Sequence, residues 1–168
     1  DNTPTLSGTA EADGTVQIRD GATLIGTATA NGSGAWSYTP SSSLSDATHS
    51  MTARVIDAGS NSSTDSTAVA ITVDTTPPAA PSITAPLDGT SINDATPTIS
   101  GTAEANSSIE VFDGVASIDT VTAAGDGTWS ATPSSDLSQG AHSFKARATD
   151  SAGNTGADSV GVTVTIDS

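Results

Sequence analysis

Cysteine is absent from this chain of 168 residues, and aromatic residues make up only 3% of it. Without cysteine the protein forms neither a disulfide framework nor a thiolate metal site. Because hydrophobic residues amount to 34%, we expect small cores of Val, Ile and Ala rather than one large core. No apolar run approaches the roughly 20 residues that a membrane-spanning helix needs, so we expect no membrane insertion.

Basic residues are also scarce. Only four Lys and Arg side chains stand against 19 Asp and Glu, which gives a net charge of −15. Nucleic acid is therefore not an expected partner, because phosphate binding requires many Lys and Arg side chains. The acidic residues are mostly Asp, with Glu only at positions 11, 104 and 110. Since Asp is typical of turns and of hard-cation sites, this composition favours a bound cation.

The chain consists of two copies of one sequence, 93 residues apart. The segment Thr3–Ala12 recurs with one substitution as Thr96–Ala105, and about half of residues 3–74 are identical to their counterparts in residues 96–167. A period this long is typical of whole domains in tandem rather than of solenoid units.

We therefore predict two domains, residues 1–74 and residues 75–168, with residues 75–81 as a linker. This linker is rich in proline, which fixes the backbone angle φ and makes the linker stiff and extended. Ser82–Ala85 has the pattern of a first strand. Since residue 1 aligns with Asp94, we expect the first copy to lack this leading strand and the natural chain to continue on both sides.

Apolar and polar residues alternate with a period of two in both copies, which predicts half-buried β-strands. Phe144, Ala146 and Ala148, for example, share one face of such a strand. Asp-Gly pairs at residues 20–21 and 113–114 predict tight hairpin turns. About seven short strands per copy around a single Trp predict an all-β fold of two tandem immunoglobulin-like β-sandwiches.

Four segments of the chain resemble bacterial immunoglobulin-like repeats. They are Val73–Pro78, Gly101–Ala105, Thr128–Ser130 and Ala148–Asn154. The resemblance covers both copies, although Asp57–Asn61 in the first has its glycine one place early. It implies part of a very long secreted adhesin of the bacterial cell surface, of the RTX or biofilm type, in which such domains act mainly as extenders. It also implies calcium, which many of these domains carry near their junctions.

The residues themselves also support a Ca²⁺ site where the two domains meet. In this fold the linker enters at the same end as the second-to-third-strand loop and the last hairpin loop. The predicted ligands there are Asp74, Glu104, Asn106, Asp150 and Asn154, and the matching residues of the first copy are Glu11 and Asp57. Such carboxylates and amides suit Ca²⁺, which takes roughly 6–8 oxygen ligands. The competing interpretation is that these side chains only hydrogen-bond to the backbone of their own turns.

Catalysis is not expected, because no nucleophile elbow, phosphate loop or zinc-protease helix occurs. His49 and His142 occupy one repeated position, which favours a structural histidine bonded to upstream backbone at a corner of the sandwich. Repetition likewise favours a core role for Trp36 and Trp129 over sugar stacking. Tyr38 has no counterpart in the second copy and is the candidate for an exposed aromatic residue.

Two functions remain. In the first, the protein is a structural extender whose sandwiches, stiffened by Ca²⁺ at the junction, hold an adhesive tip away from the cell. In the second, one or both domains bind a glycan or a host protein, which predicts a surface feature in one copy only. We favour a monomeric extender whose direct partners are neighbouring repeats of the same chain, with any glycan or host surface contacted through other domains.

Overall fold

The computed structural model describes all of residues 1–168. It contains β-strands and no helix, so the predicted all-β fold is confirmed. None of its elements is a helix of the length and apolarity that a membrane span requires. The chain forms two compact units, a first unit of residues 1–75 and a second unit of residues 76–168.

The strands of the first unit are β1 (Leu6–Thr9), β2 (Thr15–Asp20), β3 (Thr23–Thr29), β4 (Ala35–Tyr38), β5 (Ala47–Ile56) and β6 (Val69–Val73). They form a two-stranded sheet, β1-β4, and a four-stranded sheet of order β3-β2-β5-β6. All of these pairs are antiparallel. Side chains of both sheets pack on a core that contains Val16, Ile18 and Ala30.

The strands of the second unit are β7 (Ser82–Ala85), β8 (Thr90–Ile92), β9 (Ile99–Thr102), β10 (Ser108–Asp113), β11 (Ala116–Thr122), β12 (Thr128–Ala131), β13 (Gly140–Thr149), β14 (Thr155–Asp158) and β15 (Val162–Ile166). One sheet has the order β12-β9-β7, and the other has the order β11-β10-β13-β15-β8, with β14 paired to β13. The pair β8-β15 is parallel. Two sheets packed face to face make each unit an immunoglobulin-like sandwich, as predicted.

The core of the second unit is formed by the apolar faces of strands in which buried and exposed side chains alternate. In β13 the side chains of Phe144, Ala146 and Ala148 are fully buried, whereas Lys145 and Arg147 between them are not. The buried face of β13 meets residues of the opposite sheet in one continuous cluster. The period-two pattern of the sequence therefore predicted the buried face of this strand correctly.

Each Trp lies across a glycine of the neighbouring strand. Trp36 is opposite Gly8, and Trp129 is opposite Gly101. A Cβ atom at either glycine would lie 2.9 Å from the indole ring, so any larger residue would force the ring to shift. Both rings pack against the core of their own unit, which confirms the predicted core role.

Tyr38 is half-buried, so the prediction that it is exposed was wrong. Its ring packs on the core of the first unit, and its hydroxyl donates a hydrogen bond to the carbonyl oxygen of Ile25. The ring fits because residue 26 is glycine, where a Cβ atom would lie 2.3 Å from the ring. The corresponding residues of the second unit are Asp119 and Ala131, so a large side chain and the space for it have changed together.

Both predicted hairpin turns are present. β2 ends at Asp20 and β3 begins at Thr23, and β10 and β11 are joined in the same way. The first loop residue is Gly21 in one unit and Gly114 in the other, with φ of 53° and 60°. Glycine adopts these positive φ values without a steric penalty, which explains the choice of residue.

Residues 75–81 contain no strand. Pro78 and Pro81 are nevertheless buried. The carbonyl oxygen of Pro78 lies so close to Gly156 that a Cβ atom there would be 2.3 Å from it. This proline-containing stretch of the predicted linker therefore packs as part of the second unit.

Candidate functional site

The predicted calcium ligands of the second unit lie in two loops at the same end of that unit. Glu104 and Asn106 lie in the loop between β9 and β10, and Asp150 and Asn154 lie in the loop between β13 and β14. Strands β10 and β13 are paired, with Ser108 opposite Thr149. Because each loop adjoins one residue of this pair, the strand register brings the two loops to one edge.

Within the second of these loops, Asp150 organises the turn. One carboxylate oxygen accepts hydrogen bonds from the backbone N–H groups of Ala152 and Asn154, at 2.9 and 2.8 Å. The other oxygen accepts a hydrogen bond of 2.8 Å from the side-chain amide of Asn154. Partial burial opposes ionisation, but these hydrogen bonds outweigh it and lower the pKa of Asp150. The carboxylate is thus held in its charged form.

The first unit repeats this loop despite its shifted glycine. Asp57 accepts hydrogen bonds of 2.8 Å from both the side-chain amide and the backbone N–H of Asn61. These bonds lower the pKa of Asp57. The positive φ that Gly153 supplies in the second unit, 91°, is supplied here by Ser60, at 67°. The loop geometry is therefore kept, at the cost of a non-glycine residue in the left-handed region.

Glu11 lies in the loop that precedes β2. Since Thr15 in β2 pairs with Ile56 in β5, this loop lies at the same end as the loop that begins at Asp57. The arrangement matches that of Glu104 and Asp150 in the second unit.

Within neither unit do three or more His, Asp or Glu side chains come together in a group that could hold a metal ion. The predicted set also includes Asp74, which belongs to the first unit, whereas its other four members belong to the second. Convergence of these residues on one Ca²⁺ therefore remains a prediction. The turn hydrogen bonds of Asp57 and Asp150 agree with the competing interpretation, and they leave further lone pairs on each carboxylate.

An Asp–His pair with a buried histidine lies at the opposite end of β2 and β5 in the first unit. The side chain of His49 is 8% exposed, its Nδ1 lies 2.6 Å from Asp20 Oδ2, and its Nε2 lies 2.9 Å from the carbonyl oxygen of Ser45. The second carboxylate oxygen of Asp20 accepts the backbone N–H of Ser50 at 3.0 Å. The histidine is thus bonded to upstream backbone, as predicted.

The second unit contains the same pair. His142 Nδ1 lies 2.6 Å from Asp113 Oδ2, and its Nε2 lies 2.8 Å from the carbonyl oxygen of Ser138. An acceptor at each ring nitrogen favours the protonated ring, so the pKa of each histidine is raised. The hydrogen bond to the backbone of Ser45 is the larger cause of the raised pKa of His49, whereas the hydrogen bond to the Asp113 carboxylate is the larger cause for His142. Because both ring nitrogens are engaged, neither histidine can activate a serine hydroxyl in this arrangement.

The sequence pattern predicted hairpin turns at Asp20 and Asp113 but not the contacts of these residues with histidine. The repeat contained the signal, because Asp and His recur together at the same separation of 29 residues in both copies. Such a pair is visible in a sequence only if the register of β2 on β5 is known.

A groove of about 810 Å³ runs along the first unit. Its lining comes from β1, β5 and the segment before β6, and includes Leu6, Gly8, Trp36, Met51, Ala53 and Val69.

The two sandwiches, with their repeated loops and Asp–His pairs, define a tandem array of immunoglobulin-like domains. The chain belongs to the bacterial Ig-like domain family, whose model matches residues 1–75 and again residues 82–168. No curated protein matches the sequence.

Solved structures similar to this chain include the fibronectin(III)-like modules of Clostridium thermocellum CbhA. They are 14% identical with a TM-score of 0.55, and the match covers 97% of this chain and 85% of that one. A biofilm-associated protein BSP domain is 26% identical with a TM-score of 0.43, covering 99% of this chain and 28% of that one. A tetra-tandem repeat in the extending region of a large adhesion protein is 25% identical with a TM-score of 0.40, covering 99% and 46%.

Proposed function

We propose that this protein is a structural extender segment of a bacterial surface adhesin. The observation that carries the proposal is the repetition itself. Both units have the same sandwich, the same Asp–Asn loop and the same Asp–His pair, so the polar groups that recur are scaffold groups. Because these repeated groups all maintain the fold, the chain is suited to act as a spacer between the cell and an adhesive tip.

Membership of the bacterial Ig-like family supports a place outside the cell, at the bacterial surface. The absence of cysteine means that folding does not depend on an oxidising compartment. The direct partners in this proposal are the neighbouring repeats of the same chain, and the segment works as a monomer. Adhesive contacts with a glycan or host surface belong to other domains.

Calcium at the junction is the second part of the proposal. The donor groups are carboxylate and amide oxygens, which are the ligands that Ca²⁺ prefers. Glu104, Asn106, Asp150 and Asn154 lie at one end of the second unit, and Asp74 lies at the end of the first, one residue before the boundary. A cation held by groups from both units would restrict motion between them and stiffen the array.

The test is a calorimetric melt of the chain in EDTA and in about 10 mM Ca²⁺. Extracellular calcium modules bind with dissociation constants of roughly 0.1–1 mM, so a single site is expected to raise a melting midpoint by up to about 10–20 °C. Asp74→Ala is expected to reduce the difference between the two conditions. Asp136→Ala, which changes an exposed carboxylate outside the predicted set, is the matched control. Equal midpoints with and without Ca²⁺ would remove the cation from the proposal.

The alternative of a binding module predicted a surface feature in one copy only. The groove of the first unit mixes apolar residues, such as Trp36 and Met51, with polar residues, such as Thr52 and Asp65, in its lining. No residue in it distinguishes a glycan from a polypeptide, so we keep the extender as the proposal.

A further inference from the structure

Each buried histidine faces two hydrogen-bond acceptors, but a neutral imidazole ring carries only one proton to donate. In the second unit, the ring of His142 lies between the carboxylate of Asp113 and the backbone carbonyl oxygen of Ser138, at 2.6 and 2.8 Å. The first unit has the same two contacts. Both hydrogen bonds therefore exist together only while the ring is protonated.

Loss of the ring proton acts on the bond to Ser138. A hydrogen bond to a charged carboxylate is stronger than one to a neutral carbonyl group, so the remaining proton stays on Nδ1, facing Asp113. The lone pair of Nε2 then points at the carbonyl oxygen of Ser138, 2.8 Å away. Because both atoms are now acceptors, they repel each other and the contact opens.

Ser138 belongs to the loop between β12 and β13, residues 132–139, which we call the corner loop of the second unit. This loop is also bonded to chain on either side of the sandwich. The N–H of Leu137 donates to the carbonyl oxygen of Ala95 at 2.8 Å, and the side-chain amide of Gln139 donates to the carbonyl oxygen of Ser168. The corner loop therefore holds the residues that follow β15.

The corner loop of the first unit, residues 39–46 between β4 and β5, makes the same contacts through different side chains. The N–H of Leu44 donates to the carbonyl oxygen of Asn2 at 2.8 Å. The hydroxyl of Thr75 donates to the carboxylate of Asp46 at 2.8 Å, and Thr75 is the last residue of its unit. In both units the histidine, the corner loop and the chain that leaves the last strand thus form one connected set of contacts.

The surroundings of the two rings leave the histidines themselves as the groups that titrate near neutral pH. Asp20 and Asp113 are the carboxylates that form an ion pair with them. The corner loops carry one further carboxylate each, Asp46, which is bonded to Thr75, and Asp136, which is exposed. The residues opposite the rings on the neighbouring strands are apolar, namely Ile71 and Val164. The pKa of each histidine is raised by its two hydrogen bonds, so the rings lose their protons above pH 6.5.

We propose that each histidine is a pH-operated latch on the corner loop of its unit. The protonated ring ties the loop to the hairpin turn that begins at Asp20 or Asp113. Loss of the ring proton detaches the loop and frees the chain where it leaves the last strand. The latch goes beyond the extender function and needs no calcium. It is tested in EDTA, so its failure is distinguishable from failure of the proposed function.

The experiment is an NMR titration of the full chain in EDTA, from about pH 5.5 to about pH 8.5. The ring ¹⁵N shifts should show that Nε2 loses its proton while Nδ1 keeps it. Hydrogen exchange of the N–H groups of Leu44 and Leu137 then measures opening of the corner loops. Their protection, corrected for the intrinsic effect of pH on exchange, should fall at least about fivefold more than that of Ala10 and Ala103. These two N–H groups are hydrogen-bonded at the opposite end of each unit.

Matched variants assign the opening to the ring. His142→Gln does not titrate, so it should remove the extra loss of protection at Leu137 and leave that at Leu44 unchanged. The first unit thus serves as a control within the same molecule. Asp136→Asn removes an exposed carboxylate from the same corner loop and should leave the response of Leu137 to pH unchanged.

The wild-type chain alone can overturn the proposal. It fails if Leu137 loses no more protection than Ala103, or if the rings remain protonated at about pH 8.5. A neutral ring with its proton on Nε2 would also contradict it, because the hairpin turn would then be released instead of the corner loop. Persistence of the extra loss at Leu137 in His142→Gln would assign the opening to another group.

Discussion

A histidine with a hydrogen-bond acceptor at each ring nitrogen is stabilised in its protonated form, and each unit buries one such histidine. The pKa of His49 and that of His142 are raised above the ordinary value of 6.5. The stability contributed by the protonated rings is therefore fully present below about pH 6.5. It is lost as the pH rises through the raised values.

We predict that the free energy of unfolding falls as the pH rises from about 6 to about 8.5. Replacing both histidines, by His49→Gln and His142→Gln, should remove most of this slope. Urea unfolding at a series of pH values measures it. Below about pH 4 the wild type and the double variant should lose stability together, because the lowered pKa values of carboxylates such as Asp57 and Asp150 are untouched. A slope between pH 6 and 8.5 that persists in the double variant would assign it to other groups.

The sequence pattern predicted the burial of those side chains whose environment depends only on their own strand. Alternation placed Phe144 in the core, and repetition placed Trp36 and Trp129 there. The environment of Tyr38 could not be predicted in this way, because it depends on Gly26, which lies in β3 of the opposite sheet. The contact between Asp20 and His49 was missed for the same reason, since their pairing requires the register of β2 on β5.

At the level of elements, the packing of β7 against β9 is probed by the glycine beneath the Trp129 ring. Gly101→Ala is expected to destabilise the second unit by roughly 2 kcal/mol or more, because the new methyl group meets backbone of β7 that is held in the sheet. The prediction rests on the Cβ position 1.8 Å from the carbonyl oxygen of Ser82.

Gly8→Ala is the matched control in the first unit. Its methyl group would meet the indole ring of Trp36, 2.9 Å from Cζ2, but no backbone atom. Because the half-buried side chain gives way more easily than the backbone of a sheet, a smaller cost of about 1 kcal/mol is expected. Chemical denaturation of each variant measures both values. Equal costs at the two glycines would mean that β7 yields without resistance and contributes little to its unit.

Strand content and hairpin turns were predictable because they depend on local pattern. The predicted convergence of Asp74 with the loops of the second unit remains a prediction, because it depends on the placement of one unit on the other. The linker was placed between the two copies of the repeat, and its stiffness was predicted from its prolines. The burial of Pro78 and Pro81 was not predictable, because it depends on Gly156, which lets the backbone of Pro78 lie against the second unit.

At the level of the whole molecule, the two units differ in how much apolar surface they bury. Twelve apolar residues of the second unit are buried, against five in the first. Burial of apolar surface is the main stabilising contribution to folding. We therefore predict two transitions in scanning calorimetry, with the first unit melting at least about 10 °C below the second.

The assignment of the lower transition follows from the single methionine. Loss of the folded Met51 methyl signal should coincide with the lower transition, and loss of the Trp129 indole signal with the upper one. A single transition reported equally by both residues would show that the units unfold together.

The parallel pairing of β8 with β15 gives the second unit a directional resistance to tension. β8 lies near the start of this unit and β15 lies at its end. A pull on the two ends therefore drags these strands past each other along their length. The hydrogen bonds between them are loaded all at once, in shear, instead of opening one after another as in a zipper.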